Sequence, residues 1–465
     1  MKIALVEYLG LDRLNIYALI KMSRGVPLLA AILKEEGYEV TCYVESIQKF
    51  DWQELMNYDL VGFSVITCTA NPTYKMISQL RSAGYKNAIV VGGPHSTKLP
   101  EESLSAGADV VVRHEGDKTF PQLVKAIQSG ESLGNILGIT WKDGNLVRQN
   151  DDQSLLTEKE LSALPLPAFN TVIGYEKMEQ TLLNNSRGCP SKCRFCAVAT
   201  MFGAEYRAST VEARIAWLQE YKKHYPVLWK KNPIFFSDDN FFGNARTRLI
   251  TIEFMKQMIV LDLVPPKGWL CQARVTDITP EIADLMKRAG CITVCLGIES
   301  ADAVTLKKMR KGQNPEQIRN CLALLHAAGI KSLAMTIAGI DTDTAWSFFQ
   351  GIRQLRQWGA YYLQVLGLVL LPGTEIERDF ESEGREWLRN YDLYNGQHVL
   401  FRPKKMSRFG AWLCLYAIPI WFYFLTSHGR GLIKEHWKSY RGILWIAFKQ
   451  SLSRFWQTIR NRFVR

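Results

Sequence analysis

The sequence predicts an α/β protein with an N-terminal doubly wound parallel sheet, followed by a partial barrel of six β/α units, (β/α)6. A C-terminal tail is predicted to be α-helical. Short apolar runs rich in β-branched residues alternate with segments of helical periodicity up to about residue 135, and again from 179 to 400. Beyond residue 400 the sequence becomes basic and rich in aromatic residues. We therefore divide the 465 residues into a first domain (1–135), a linker (136–178), a barrel (179–400) and a tail (401–465).

The charge distribution separates the tail from the rest of the chain. The protein has 57 Lys and Arg residues against 45 Asp and Glu residues, a net charge of +12. Thirteen of the basic residues and a single acid, Glu435, lie between Arg402 and Arg465, which leaves 44 residues of each sign before them. A body that is neutral by count lacks the basic face of a nucleic-acid-binding domain, so no nucleic-acid partner is expected.

The cysteine content and the first residues indicate the compartment. Ten cysteines are too few for a disulfide scaffold in a chain of this length, and the opening MKIALVEY reads as a strand rather than a secretory signal. No uncharged apolar run of 18 residues occurs outside the tail. We expect a cytoplasmic protein.

Five apolar runs of the first domain are predicted strands: KIALVEY, EVTCYV, DLVGFSV, AIVVGG and DVVVRHE. Helices are predicted near 25–36 and 73–83. Ligands bind beyond the carboxyl ends of parallel strands, so the candidate binding residues are those that follow the strands: Ser64, Thr67, Gly92, Gly93, Glu115 and Gly116. The alternative is that these residues only form strand-to-helix turns. No G-x-G-x-x-G follows the first strand, which disfavours a nicotinamide or flavin site.

Three cysteines lie within eight residues of the segment NNSRGCPSKCRFC (184–196), at Cys189, Cys193 and Cys196. Three thiolates at this spacing can bind one face of an iron–sulfur cluster and leave a fourth metal position without a protein ligand. Structural zinc usually takes four ligands, and no nearby Cys or His supplies a fourth. Cys271 and Cys291 are distant in sequence and lie in apolar contexts typical of core cysteines. A zinc site is therefore disfavoured.

With the aromatic Phe195 directly before its last cysteine, this motif resembles the signature of the radical S-adenosylmethionine family. The resemblance places Phe195 among the residues that bind S-adenosylmethionine. The resemblance implies a [4Fe–4S] cluster on the three cysteines, whose open iron binds the amino and carboxylate groups of S-adenosylmethionine. In that family, reduction of the cluster cleaves the sulfonium to give a 5′-deoxyadenosyl radical.

The ends of the later predicted strands continue this resemblance. Asp238 and Asp239, which end the run PIFFSDD, are expected near the amino group of S-adenosylmethionine, and Arg274 near its carboxylate. Glu299 and Ser300 are expected at the ribose or the amino acid moiety, and the backbone at Gly339 and Leu371 along the adenine. Any one of these acids could instead be a helix cap or a solvated loop residue. Helices are predicted at 210–223, 245–260, 279–289, 315–328 and 343–358.

The first domain resembles the cobalamin-binding, Rossmann-like domain that precedes many radical S-adenosylmethionine enzymes. The resemblance rests on VGFSV (61–65), VVGGPHSTKLPEE (90–102) and VVVRHEGDKTFPQLV (110–124). It implies a cobalamin site formed by the strand-end residues Ser64, Thr67, Gly92, Gly93, Glu115 and Gly116. The D-x-H-x-x-G motif that supplies a histidine ligand in other cobalamin proteins is absent. Cobalamin is therefore expected to bind without a histidine on its lower face.

The tail contains two apolar segments. The uncharged run from Ala411 to Leu425 is broken by Pro419 and is short for a membrane span. Residues 442–465 place Trp and Phe at near-helical spacing against Lys and Arg, the pattern of a helix that lies in a membrane interface. Three interpretations remain open: contact with the membrane surface, a helical hairpin packed on the barrel with basic outer faces, and RNA binding.

These features predict a cobalamin-dependent enzyme that cleaves S-adenosylmethionine reductively and C-methylates an unactivated carbon of a small, apolar substrate. The alternatives are a radical cyclase or rearrangement enzyme of tetrapyrrole or lipid type, and a non-catalytic iron–sulfur module for electron transfer. The resemblance also implies an electron donor such as flavodoxin or ferredoxin. The predicted location is the cytoplasm, with the tail holding the protein on the inner face of the membrane.

Overall fold

A computed structural model describes residues 1–10, 20–23, 25–432 and 434. These residues form an N-terminal sheet with helices on both faces, then a six-stranded parallel sheet that carries helices, and then a C-terminal helix. The predicted fold class is confirmed. The cationic segment at 442–465 lies outside the described residues.

The N-terminal sheet begins with five parallel strands in the order β2-β1-β3-β4-β5. The strands are β1 (Lys2–Glu7), β2 (Glu39–Val44), β3 (Leu60–Ser64), β4 (Ala88–Gly92) and β5 (Val110–Val112). The helices that follow them are α1 (Val26–Glu35), α2 (Ala70–Ser82), α3 (Pro94–Lys98), α4 (Pro100–Ser105) and α5 (Gly116–Ser129). In β1, Leu5 packs into one apolar cluster while Ala4 and Val6 pack into another on the opposite face. Both faces of the sheet are therefore covered, as the continuous apolar runs predict.

The segment predicted as a linker begins with two further strands of this sheet, so the boundary at residue 135 is wrong. Strand β6 (Ile139–Asp143) pairs antiparallel with β5, and β7 (Leu146–Gln149) pairs antiparallel with β6. They are joined by the two-residue turn Gly144-Asn145, and Gly144 has φ +59°, which suits the tight turn of a hairpin. The buried Arg113 fixes the hairpin by donating to the carbonyls of Ile139 (2.5 Å) and Asn150 (2.6 Å). A short helix, α6 (Glu158–Ser162), follows.

The second sheet contains six parallel strands in the order β8-β11-β12-β13-β14-β15. They are β8 (Thr181–Leu183), β11 (Ile234–Phe236), β12 (Trp269–Ala273), β13 (Cys291–Glu299), β14 (Lys331–Ala338) and β15 (Tyr362–Gly367). Two short antiparallel strands, β9 (Ser186–Arg187) and β10 (Arg207–Ala208), flank the cysteine motif. An open set of six parallel strands with helical connections is the predicted partial barrel.

The barrel domain has nine α-helices among the described residues, and the five longest agree with the five predicted segments to within two residues at each end. The nine helices are α7 (Val198–Phe202), α8 (Val211–His224), α9 (Pro226–Lys231), α10 (Ala245–Val260), α11 (Pro280–Arg288), α12 (Ala303–Lys308), α13 (Pro315–Ala327), α14 (Ala345–Gln357) and α15 (Glu375–Ser382). The five longest begin after a side chain that accepts a hydrogen bond from the first turn: Thr210, Asn244, Thr279, Asn314 or Thr344. Such N-caps define where each helix starts.

The helix α16 (Arg408–Ile420) and the wider turn Trp421–Leu425 pack against the last barrel strand. Cys414 and Phe422 are fully buried, and the Tyr423 hydroxyl exchanges two 2.8 Å hydrogen bonds with the backbone of Leu363. The 18 residues from Arg408 to Leu425 have a mean hydropathy of 1.3, and only 28% of them are buried. By length and composition this segment could cross a membrane, whereas the 15-residue run considered in the sequence appeared too short.

Candidate active site

The three cysteines of the motif lie in the loop between β9 and α7, and their side chains are partly exposed. The other seven cysteines are buried, Cys271 and Cys291 among them. Within the described residues, no group of three or more His, Cys, Asp or Glu is placed to hold a single metal ion. A cluster differs from a single ion because each cysteine binds a separate iron. Three accessible thiols in one loop therefore fit a cluster, and the buried cysteines do not.

Arg194, which lies between the second and third cysteines, anchors the loop to other segments of the barrel domain. Its guanidinium pairs with two acids of α15, Glu375 (2.9 Å) and Asp379. Its backbone joins two other segments, since its N–H donates to the carbonyl of Met309 (3.3 Å) and its carbonyl accepts from Ile376 (3.1 Å). The loop is thus held in place by protein contacts alone.

The thiols of Cys193 and Cys196 have raised pKa values. Burial raises the pKa of Cys196 to about 12, and burial also raises the pKa of Cys193. Metal ligands must be thiolates, so cluster binding at these positions releases protons.

A buried ion pair lies beside Cys193, and sequence reasoning recognised only one of its members. Lys311 Nζ is 2.9 Å from Glu299 Oε1, and each side chain is 10% exposed. Glu299 has the unusual φ of +63°. A Cβ added at Gly297 would lie 2.6 Å from Lys311 Nζ, so a glycine is needed there for the lysine to reach the site. Lys311 sits in a run of basic residues, KKMRKG, that gives no sequence signal of burial.

Arg274 connects the cysteine loop to the turn after α12. Its guanidinium donates to Ser191 Oγ (2.9 Å) and to the carbonyls of Lys311 and Gly312. The predicted role at the carboxylate of S-adenosylmethionine thus stays a prediction, and the arginine already has protein partners that position the loop.

The two consecutive aspartates at the end of β11 differ in environment. Asp238 is fully buried and accepts hydrogen bonds from Ser186 Oγ (2.6 Å) and Asn185 N (2.8 Å), so it points into the barrel. Asp239 faces the cavity between the domains. Burial raises the pKa of Asp238 to about 6, and burial with the neighbouring Asp238 raises that of Asp239 to about 7. Of the pair, only Asp239 can contact a ligand in that cavity.

The remaining predicted residues at the barrel mouth lie farther from this cavity. Ser300 is buried, and its hydroxyl accepts from the Asp302 N–H (3.1 Å). Phe195 and Leu371 pack against one apolar cluster at the top of the barrel. Gly339 has φ +91°, and a Cβ there would approach Pro403 at 3.7 Å. The structure thus brings Phe195 and Leu371 together but leaves Gly339 beside the start of the tail.

A cavity of about 580 Å³ separates the two domains. Both domains contribute to it: the first supplies residues from the ends of β1, β3, β4 and β5, and the barrel supplies residues from β8, β9, α7, β11 and β12. Most of the lining is apolar, including Leu29, Phe63, Phe120, Met201 and Phe235. A planar, largely apolar ligand and a second molecule can meet here.

Five of the six residues predicted for cobalamin line this cavity: Ser64, Gly92, Gly93, Glu115 and Gly116. Thr67 does not, and its neighbours Ile66 and Thr69 line the cavity instead. Gly92 and Gly93 differ in whether the surrounding protein leaves space for a side chain. A Cβ at Gly93 would lie 2.5 Å from the Val65 carbonyl oxygen, whereas a Cβ at Gly92 would meet its nearest protein atom at 3.6 Å. Protein packing therefore demands glycine at 93, while at 92 the missing side chain only widens the cavity.

The Glu115 carboxylate has several protein partners at the cavity wall, and its predicted role at cobalamin stays a prediction. Its carboxylate pairs with Arg207 of the barrel domain (2.8 and 3.0 Å) and accepts from the Leu156 N–H (2.6 Å). Beside it, Arg187 and Asp117 form a second pair between the domains at 2.6 and 2.8 Å. These four side chains hold the two domains together at the cavity wall.

Of the two histidines of the first domain, only His114 lines the cavity. His95 is 1% exposed, and its Nε2 lies 3.1 Å from Glu102. His114 lines the cavity, but its Nδ1 lies 3.1 Å from the Met201 carbonyl and its Nε2 lies 3.8 Å from Asp152. A cobalamin without a histidine on its lower face stays a prediction.

Two family models match the chain in the order that the fold suggests. The B12 binding domain matches residues 19–124, and the radical SAM superfamily matches residues 183–353. The chain thus contains a B12-binding domain followed by a radical S-adenosylmethionine domain. Its cofactors are accordingly a [4Fe–4S] cluster, S-adenosylmethionine and cobalamin.

Proteins similar to this chain include two named methyltransferases. An uncharacterized methyltransferase of Pyrococcus horikoshii is 29% identical over 71% of this chain and 70% of its own length. The bacteriochlorophyllide d C-12(1)-methyltransferase of Chlorobaculum tepidum is 25% identical over 82% of this chain and 78% of its own. The cobalamin-dependent radical enzyme OxsB, solved with aqua-cobalamin bound, has the same fold, with a TM-score of 0.72 at 16% identity over 95% of this chain and 71% of its own.

The residues of the site fit the cofactors that this family uses. Gly92 and Gly116 line the cavity, and a Cβ added at either position would not clash with the protein. The missing side chains therefore leave space for cobalamin. The cluster fits the loop because its three thiols are the accessible ones. Together the cofactors supply a one-electron cleavage of S-adenosylmethionine and a transferable methyl group. Of the barrel residues predicted for S-adenosylmethionine, Asp239 lines the same cavity as the strand ends of the first domain.

Proposed function

We propose that this enzyme C-methylates an unactivated carbon of a small, apolar substrate that binds in the cavity between its two domains. The cavity itself carries the proposal, because the strand ends of the B12-binding domain and Asp239 of the barrel line the same 580 Å³ space. A substrate there would have one domain on each side. Its apolar lining, with Phe63, Phe120 and Phe235, suits a flat hydrophobic molecule.

The relative from Chlorobaculum tepidum acts, by its name, on a bacteriochlorophyllide, a tetrapyrrole. We extend this to the present chain as a substrate class: a tetrapyrrole or a lipid of similar apolar character. The cyclase or rearrangement alternative uses the same deoxyadenosyl radical without transfer of a methyl group.

The test is anaerobic reconstitution with iron, sulfide and cobalamin, followed by mass spectrometry of the products. We expect 5′-deoxyadenosine and S-adenosylhomocysteine in comparable amounts when a suitable tetrapyrrole or lipid is supplied. Deoxyadenosine without S-adenosylhomocysteine would favour a cyclase or rearrangement. Absence of deoxyadenosine under reducing conditions would favour the electron-transfer module.

We also propose that the C-terminal region contacts the anionic inner face of the cell membrane. The apolar surface of the Arg408–Leu425 segment supports this, because Phe409 is 56% exposed and Leu425 is 67% exposed. Thirteen basic residues lie between Arg402 and Arg465, and each contributes on the order of 1 kcal/mol near an anionic surface. Contact at this place would bring an apolar substrate toward the enzyme from the bilayer.

Sedimentation with anionic and with neutral liposomes tests this contact. Truncation must spare α16, because Cys414 and Phe422 are part of the core. We therefore compare the full chain with a variant that ends at Lys434 and with Phe409→Ser/Leu425→Ser. Binding to anionic liposomes should fall in both variants and should weaken with salt. If the full chain stays in the supernatant at low salt, the membrane proposal is wrong.

A further inference from the structure

A group of exposed cations lies on the surface directly over the cysteine loop. Lys192 stands within the loop, and Lys307 and Lys308 end α12 beside it. All three side chains are exposed, and none of them forms an ion pair with another residue in the part of the chain that the structure describes. We call these three residues the loop lysines.

Direct backbone contacts make the loop lysines one surface. The carbonyl of Met309, which follows Lys308, accepts from the Arg194 N–H (3.3 Å) between the second and third cysteines. Arg274 joins Ser191, which precedes Lys192, to the turn at residues 311 and 312. The positions of Lys307 and Lys308 relative to the cysteines are therefore fixed by the fold.

Most of the acids near this surface are already neutralised by basic side chains. Glu375 pairs with Arg194 (2.9 Å) and Arg310 (2.5 Å), and Asp379 pairs with Arg194. Glu299 is buried with Lys311. Asp302, which caps the start of α12, is exposed and accepts a hydrogen bond from the Thr305 N–H (2.8 Å). With the three loop lysines against this one acid, the net charge that this face presents to solvent is positive.

We infer that the loop lysines dock the protein that supplies the electron, a small acidic carrier of the flavodoxin or ferredoxin type. Charge complementarity selects this occupant, since a patch of unpaired lysines attracts an acidic surface and raises its rate of encounter. Electron-transfer encounters bury little surface, below about 1,200 Å², so a few lysines are enough. The inference rests on the proposed function, because only a reductive cleavage needs this electron.

The electron balance of the step is simple. The carrier loses one electron and transfers no atom. S-adenosylmethionine gains that electron as its C5′–S bond breaks, which yields methionine and the 5′-deoxyadenosyl radical. The loop lysines take part only in docking, so an artificial reductant that needs no docking bypasses them.

The test replaces Lys307 and Lys308 together by Glu and leaves Lys192 unchanged because it lies in the cluster loop. Lys222→Glu/Lys223→Glu is the matched control, since these consecutive lysines also end a helix, α8. These two lysines lie at the amino end of the barrel strands, away from the cysteine loop. Lys222 Nζ donates to the carbonyl of Asp262 (2.8 Å), which follows the end of α10. Both variants make the same change of charge.

Two readouts are compared, with flavodoxin as the probe. With reduced flavodoxin at low salt, the rate of 5′-deoxyadenosine formation should fall about tenfold or more in Lys307→Glu/Lys308→Glu, and the deficit should shrink at about 0.5 M salt as screening increases. With dithionite the rate should match that of the wild type. Carbodiimide treatment should cross-link flavodoxin carboxylates to Lys307 or Lys308 of the wild type, a result that does not depend on activity.

Equal flavodoxin-driven rates in the wild type and the variant, or cross-links that map away from this face, would overturn the inference. An equal loss in the Lys222/Lys223 control would also overturn it. If dithionite fails to drive cleavage in the wild type, the proposed function fails instead. If Lys307→Glu/Lys308→Glu also lowers the dithionite-driven rate, the flavodoxin-driven and dithionite-driven rates are compared in Lys307→Gln/Lys308→Gln instead. Glutamine removes the charges without reversing them.

Discussion

The pair between Glu115 and Arg207 is predicted to hold the B12-binding domain on the barrel, and its removal tests how the cavity is built. The side chains are only 4% and 6% exposed. Arg207→Met leaves the carboxylate buried with one N–H donor, Leu156, and with Arg187 at 3.5 Å. Breaking a buried pair from one side costs about 3–5 kcal/mol. Because Arg187 remains nearby, we expect a loss of about 3 kcal/mol.

A loss of this size lowers the melting temperature of a domain of 150–250 residues by roughly 6–12 °C. Calorimetry is the suitable assay because it resolves the transitions of a two-domain protein that need not unfold in one step. We expect the shift in the transition of the first domain, together with faster proteolysis near residues 150–157. Cobalamin retention should fall, while dithionite-driven cleavage of S-adenosylmethionine, which uses the barrel, should persist.

The double variant Glu115→Gln/Arg207→Met is the control for the electrostatic explanation. It removes both charges, and the amide of the glutamine still accepts from the Leu156 N–H. We expect it to recover part of the lost stability, with a coupling free energy within the usual 0.5–3 kcal/mol for residues in contact. An unchanged melting temperature in Arg207→Met, or a double variant that is less stable than the sum of the single ones predicts, would refute this reasoning.

Three further predictions concern single positions. Cys193→Ala should lose the cluster iron and all cleavage of S-adenosylmethionine, whereas Cys271→Ala, which changes a fully buried thiol, should keep full iron content; iron analysis compares the two. Gly93→Ala should cost about 2 kcal/mol or more, because its φ is +106° and its Cβ would strike a backbone oxygen, while Gly92→Ala should fold normally and bind cobalamin more weakly in a spectroscopic titration. Asp343 is 3% exposed, and burial raises its pKa to about 6. Folding therefore favours the neutral carboxyl group. As the pH rises from about 4 to 7, the wild type should lose up to about 3 kcal/mol of unfolding free energy relative to Asp343→Asn. Denaturant unfolding of both proteins across this pH range measures the difference, and a difference that does not change with pH would contradict this.

The sequence by itself determined the two-domain α/β architecture, the cluster cysteines and the ends of the strands that face the cavity. Patterns within short segments of sequence are sufficient to predict these features. Apolar runs of strand length alternate with helical periods, and three cysteines within eight residues stay together in any fold. Glycines and small polar residues after buried strands also mark an edge where a ligand can approach. The hairpin at residues 139–149 could have been found as well, since its Gly144-Asn145 turn is a local signal.

Only the tertiary structure decided which charged residues form the site. Lys311 is buried against Glu299, and Arg207 is buried against Glu115 across 92 residues of chain. Nothing in a basic run such as KKMRKG distinguishes a buried lysine from the exposed ones beside it. The same holds for Asp238 and Asp239, which are adjacent in sequence but point into the barrel and into the cavity respectively. Burial and pairing of charges depend on contacts between distant segments, and those contacts exist only once the two domains have packed together.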